Sequence, residues 1–150
     1  MRVLVQRVTR ASVHVSGELV SEIGAGLLLF VGIAPGDGAK EVNWMAKKIA
    51  GLRVFEDLDG KMNQSLLEVG GAALAVSQFT LYGDCRRGRR PSFQGAAPPE
   101  LAAPLFDDFV AALDTLGVPC KAGVFQATME VNLLNHGPVT LWIDTEEPKK

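Results

Sequence analysis

Strand-like segments follow one another at the N-terminus with only short turns between them, and that succession limits the fold more than any other feature. Residues 2–9 alternate weakly and are rich in valine. Residues 11–15 and 18–23 flank Ser16-Gly17 as a hairpin, and Leu27 to Ile33 is apolar throughout. Strands this close in sequence pair antiparallel, because a parallel partner needs a crossover of about a dozen residues or more.

The rest of the chain adds helices and closing strands. Val42, Met45, Ile49 and Leu52 fall at helical spacing, which predicts an amphipathic helix over 39–52 with Lys47 and Lys48 outward. Asp37 stands where it could cap that helix. Short strands over 53–56 and 61–63 flank the turn Asp57–Gly60. Asp57 and Asp59 resemble the opening of a calcium loop, but the later ligands are missing, so a hairpin turn is expected. Gly70-Gly71 precedes a buried strand, Ala72 to Leu81. Pro98-Pro99-Glu100 opens a second helix with the apolar stripe Leu101, Leu105, Phe109, Leu113 and Leu116, ended by Gly117 and Pro119. Phe125 to Leu134 and Val139 to Ile143 read as strands interrupted by Asn135–Pro138, and the tail from Glu146 to Lys150 reads as frayed. The expected fold is a single α+β domain over residues 1–150, with largely antiparallel, barrel-like sheets and two main helices.

Composition narrows the function. The net charge of −2 excludes a uniformly basic nucleic-acid binder, though not a local basic cluster. No apolar run approaches the roughly 20 residues of a membrane span, and the N-terminus enters a strand pattern without a signal-like segment. A cytoplasmic location is expected, with no membrane or DNA partner. Cys85, Cys120, His14 and His136 are too scattered for a zinc signature or a disulfide framework, so no metal or cofactor is expected.

Polar chemistry gathers where the central strand should leave the core, at Ser77-Gln78-Phe79-Thr80. A nucleophilic hydroxyl there needs a base within reach, and no Asp-His pair stands at recognisable positions. Main-chain N–H groups that hold an oxyanion would need less. Immediately beyond lie Arg86, Arg87, Arg89 and Arg90, four like charges in five positions, whose repulsion a phosphate would relieve. Gly137-Pro138 has neither a glycine side chain nor a proline donor, so it is either a plain turn or a pair of carbonyls bared to a ligand.

Ser77-Gln78-Phe79-Thr80-Leu81 together with Asn135-His136-Gly137-Pro138-Val139-Thr140 closely resembles the D-aminoacyl-tRNA deacylase family. Gln6-Arg7-Val8, Ala11-Ser12-Val13, Gly60-Lys61-Met62-Asn63 and Arg90-Pro91-Ser92-Phe93 resemble it in the same order, from Met1 to about Ile143. The resemblance implies hydrolysis of the ester joining a D-amino acid, or glycine mischarged on tRNA(Ala), to the terminal adenosine of tRNA. It implies a homodimer in which a cis Gly137-Pro138 pair reaches into the partner's site and rejects L side chains. Arg7 would brace that pair, Ser77 to Thr80 would line the opposite wall, and Met129 would hold the adenosine. The tRNA 2′-hydroxyl would help activate water while the N–H groups of Phe79 and Thr80 hold the oxyanion; Thr80 as nucleophile is the alternative. Of the arginines, the motif fixes Arg90 best on the acceptor end. Relatives usually carry a small acidic residue where His136 stands. The rival functions are a non-catalytic tRNA-binding module built on the Arg86–Arg90 loop and an esterase of small substrates.

Overall fold

The computed structural model describes residues 1–146. The tail expectation therefore falls, apart from Glu146, outside the described residues. Strand β1 (Arg2–Val15) is the spine. It pairs with β8 (Met129–Asp144) along one edge. Along its other edge it pairs with β3 (Gly26–Gly32) and then β2 (Glu18–Ile23), all antiparallel. The two N-terminal segments are thus one strand, not two; a register shift between Val8 and Arg10 marks where it bends.

Beyond β3 the sheet continues through β6 (Ala72–Ser77) and β7 (Cys120–Ala122), both paired parallel. The sheet is mixed and nearly closed. Ser21 Oγ donates to Ala122 O at 2.9 Å and Lys121 Nζ to Glu22 O at 2.9 Å, which brings edge strands β2 and β7 together. Apolar residues on both faces explain the parallel centre. Leu27, Leu29 and Val31 of β3, with Ala73 and Ala75 of β6, pack under the helices; Leu28, Leu74 and Val76 turn the other way, onto Val8, Val13 and Ile23.

Helices α1 (Ala39–Ala50) and α3 (Pro99–Thr115) cover the first of these cores. Gly38, not Asp37, precedes α1, and its N–H donates to Glu41 Oε2 at 3.0 Å. Asp37 instead accepts from Ala34 N at 2.7 Å. The Asp57 turn is a hairpin joining β4 (Phe55–Glu56) to β5 (Met62–Gln64); Asp57 accepts from the N–H groups of Asp59 and Lys61 and from Asn63 Nδ2. A short α2 (Leu66–Val69) follows.

Two departures from the expected strands shape the site. The central strand stops at Ser77, and Phe79–Tyr82 form a 3-10 turn in place of a continued strand. Gly32 permits this, because a Cβ there would stand 3.2 Å from Gln78 O and from Leu81 Cβ. Likewise, Asn135–Pro138 do not end a strand. Gln6 pairs with Thr140 and Val8 with Asn135, so residues 136–139 bulge out of β8 opposite Arg7 alone.

Candidate functional site

The end of β6 opens into a cavity of about 690 Å³. Ser77, Gln78 and Phe79 form one wall and Met129 stands on another, so the structure brings these four expected residues together. Thr80 follows on the exposed turn, and its Oγ1 accepts from Gln78 Nε2. Phe93, Phe125, Gln126 and Thr128 also line it, and nothing in the sequence marks them as wall residues. Phe93 meets Phe79 edge to face with ring centres 5.1 Å apart. Gln126 holds a positive φ of 64° in the turn that leads to Met129, and no sequence signal marks it.

Breaking the strand into a turn sets up the chemistry. The first N–H groups of a helical turn have no partner within it. Gln78 N donates to Val31 O at 2.8 Å and Leu81 N to Gln78 O at 3.2 Å. Between them, the N–H groups of Phe79 and Thr80 carry no hydrogen bond among the described residues. None of the described residues lining the cavity is titratable. Phe79 lines the cavity and Thr80 follows it, so two unpaired N–H groups stand beside a lining that holds no side chain able to act as a general base. Neither thiol lines the cavity: Cys85 is exposed on the loop, and Cys120 is half-buried in β7, where burial followed by the Asp114 carboxylate pushes its thiol up to about 12.

The arginines lie on the exposed loop after the 3-10 turn. Asp84 pairs with Ser92 through the main chain, and Phe93 ties that loop to Phe79 at the cavity rim. The four guanidiniums are not equivalent. Arg86 grips Asp84 with Nε at 2.9 Å and Nη2 at 2.7 Å, and it holds the Asp84 carboxyl down to about 2. Arg87, Arg89 and Arg90 have no ion pair among the described residues.

Gly137 and Pro138 do not line this cavity. They sit exposed on the β8 bulge, joined by a cis peptide bond. Arg7, only 4% exposed, lies beneath them. Its Nε donates to His136 O at 3.1 Å, its Nη1 donates to Val54 O at 2.8 Å, and its Nη2 stands 3.9 Å from Glu56 Oε1. The His136 ring is exposed, and only its carbonyl enters this network. Within one chain the expected site residues thus form three groups: the cavity wall with its turn, the arginine loop beside it, and the braced bulge.

A family model described as D-Tyr-tRNA(Tyr) deacylase matches residues 4–144. A protein of Thermomicrobium roseum named D-aminoacyl-tRNA deacylase is 60% identical over 98% of this chain and 96% of its own. One of the same name from Thermus aquaticus is 56% identical over 98% and 97%. A solved structure titled c-Myc DNA Unwinding Element Binding Protein superposes with a TM-score of 0.92 at 42% identity, covering 97% of this chain and 99% of that one. A probable eukaryotic D-amino acid tRNA deacylase shares the fold at 19% identity, with a TM-score of 0.82 over 95% and 97% of the two chains. No described helix is long and apolar enough to cross a membrane. Agreement over nearly the full length of both chains, at 60% identity, makes this protein a member of the D-aminoacyl-tRNA deacylase family.

Proposed function

We propose that the protein hydrolyses the ester bond of D-aminoacyl-tRNA, and of glycine mischarged on tRNA(Ala), releasing amino acid and tRNA. The observation that carries the mechanism is the cavity with two unpartnered N–H groups at its rim and no titratable side chain in its lining. The terminal adenosine enters against Met129. The ester carbonyl reaches the N–H groups of Phe79 and Thr80, which hold the negative charge that develops as water attacks. With no protein base in the lining, the 2′-hydroxyl of the terminal ribose assists the water. A second copy supplies Gly137 and Pro138, whose main chain meets an L side chain and leaves room for a D one. The exposed position of that pair, away from its own cavity, supports a site shared between two subunits. Half-exposed Leu134 and Trp142 on the same strand supply apolar surface for the second copy to cover. This reading places the protein in the cytoplasm, where its substrate is made.

The test uses D-tyrosyl-tRNA with a normal or a 2′-deoxyadenosine end. Thr80→Ala keeps the N–H and is expected to stay within about tenfold of wild type, whereas the deoxy substrate should slow by about 100-fold or more. A folded but inactive Thr80→Ala enzyme would make Thr80 the nucleophile. Tight tRNA binding without turnover would leave a non-catalytic binding module.

On the arginine loop, Asp84→Asn releases the Arg86 fork. It is expected to tighten tRNA binding several-fold and to steepen the salt dependence by roughly one released ion. An unchanged salt slope in a binding titration would remove Arg86 from the contact.

A further inference from the structure

The β8 bulge raises an accounting question. Arg7 alone faces residues 136–139, so main-chain groups around the bulge lose their ladder partners and need others. The Arg7 guanidinium meets one of these needs at His136 O. Asn135 meets two more. Its Nδ2 donates to Arg7 O at 3.1 Å and to Val139 O at 3.0 Å, so one amide ties the last residue of the bulge to the strand opposite. Its Oδ1 accepts from Thr140 Oγ1 at 3.1 Å, and Gln6 Nε2 donates to that same hydroxyl at 3.2 Å. Both amide hydrogens are used, and a flipped amide would set Oδ1 against two carbonyls, so its orientation is fixed. Packing does little of this work, because His136, Gly137 and Pro138 are exposed and only Val139 is buried.

We infer that Asn135 is a positioning residue for Gly137 and Pro138: its amide clamps the neck of the bulge and sets where their main chain stands. The inference rests on the deacylase reading above and assigns Asn135 no contact with substrate. An aspartate has the same shape but turns an anion toward the carbonyls of Arg7 and Val139. Thr140→Val removes the hydroxyl that supports Oδ1 and receives Gln6 Nε2, and leaves both Nδ2 bonds in place.

The experiment compares wild type, Asn135→Asp and Thr140→Val in two ways. One is hydrogen exchange of the peptide covering 136–139; the other is the ratio of kcat/KM on D- and L-tyrosyl-tRNA, with affinity for uncharged tRNA as control. In Asn135→Asp, exchange of the bulge should rise about tenfold with the helices unchanged, and the D:L ratio should fall at least about tenfold with tRNA affinity preserved. Thr140→Val should move both in the same direction by a few-fold, and it carries the test if Asn135→Asp does not fold. Unchanged exchange overturns the inference, and so does faster exchange with an unchanged D:L ratio, which would leave a merely structural role. A wild-type enzyme that hydrolyses neither ester sinks the deacylase reading instead, and the exchange result then decides by itself whether Asn135 holds the bulge.

Discussion

Arg7→Ala is expected to cost about 3–5 kcal/mol of stability and to strip the enzyme of its D-ester turnover. The side chain is buried and donates to two carbonyls, Val54 O through a buried bond and His136 O through a partly buried one. Each carbonyl left unpaired costs about 1–3 kcal/mol, and the emptied volume adds to that. The Glu56 carboxylate contributes little, because at 3.9 Å it is half in solvent. Losing the guanidinium also unties the Gly137–Pro138 segment from Val54, so turnover falls further than stability requires. Arg7→Lys, which can reach one carbonyl but not both, should recover about half of the stability. Urea denaturation followed by D-tyrosyl-tRNA turnover checks both parts. An Arg7→Ala protein within about 1 kcal/mol of wild type would mean that the bulge is braced by something else.

Gly137→Ala separates the site from the fold. Gly137 has a φ of 124°, which L side chains rarely adopt. An added Cβ would stand 2.9 Å from Val139 Cγ2, 3.0 Å from Arg7 Nη2 and 3.1 Å from Val139 N. Neither neighbour can give way easily: Val139 is buried and Arg7 is pinned at both ends. The strain, about 1–3 kcal/mol, falls on an exposed bulge, so the protein should still fold. Displacing that main chain is expected to reduce D-ester turnover by about 100-fold or more. A melting temperature near wild type with normal turnover would remove Gly137 from the site.

Much of this fold is legible in the chain because periodicity reports burial. The unbroken apolar run Leu27–Ile33 marks a strand buried on both faces, and the stripe of α3 names its one buried face. Pairing direction is less legible: β3 and β6 read alike whether parallel or antiparallel, and only the register places Gly26 beside Ala72. Short elements escape periodicity altogether. β7 is three residues long. For α2 the signal existed, since Ser65-Leu66-Leu67-Glu68 is a capping box, with Ser65 N–H to Glu68 Oε2 at 2.6 Å and Glu68 N–H to Ser65 Oγ at 3.2 Å.

The candidate site divides in the same way. Ser77 to Thr80 were visible as polar residues ending an apolar run. Their turn was not, because a 3-10 turn has no strand or helix period, and the two free N–H groups come from that turn. Phe93 lay inside a motif and Phe125 and Gln126 read as strand, but β8 begins only at Met129, and all three reach the cavity from loops whose course no periodicity reports. Asn135 lay inside a motif, yet its work at the neck of the bulge follows only from the register of β1 against β8.

Chirality-selective deacylation is what separates this enzyme from an esterase of small substrates and from a non-catalytic tRNA-binding module. The most direct measurement is a paired time course of D-tyrosyl-tRNA and L-tyrosyl-tRNA with the same wild-type enzyme. Rapid loss of the D ester is expected, with enzymatic hydrolysis of the L ester slower by about 100-fold or more. Hydrolysis of both esters at similar rates would show that the Gly137–Pro138 main chain does not select the D substrate.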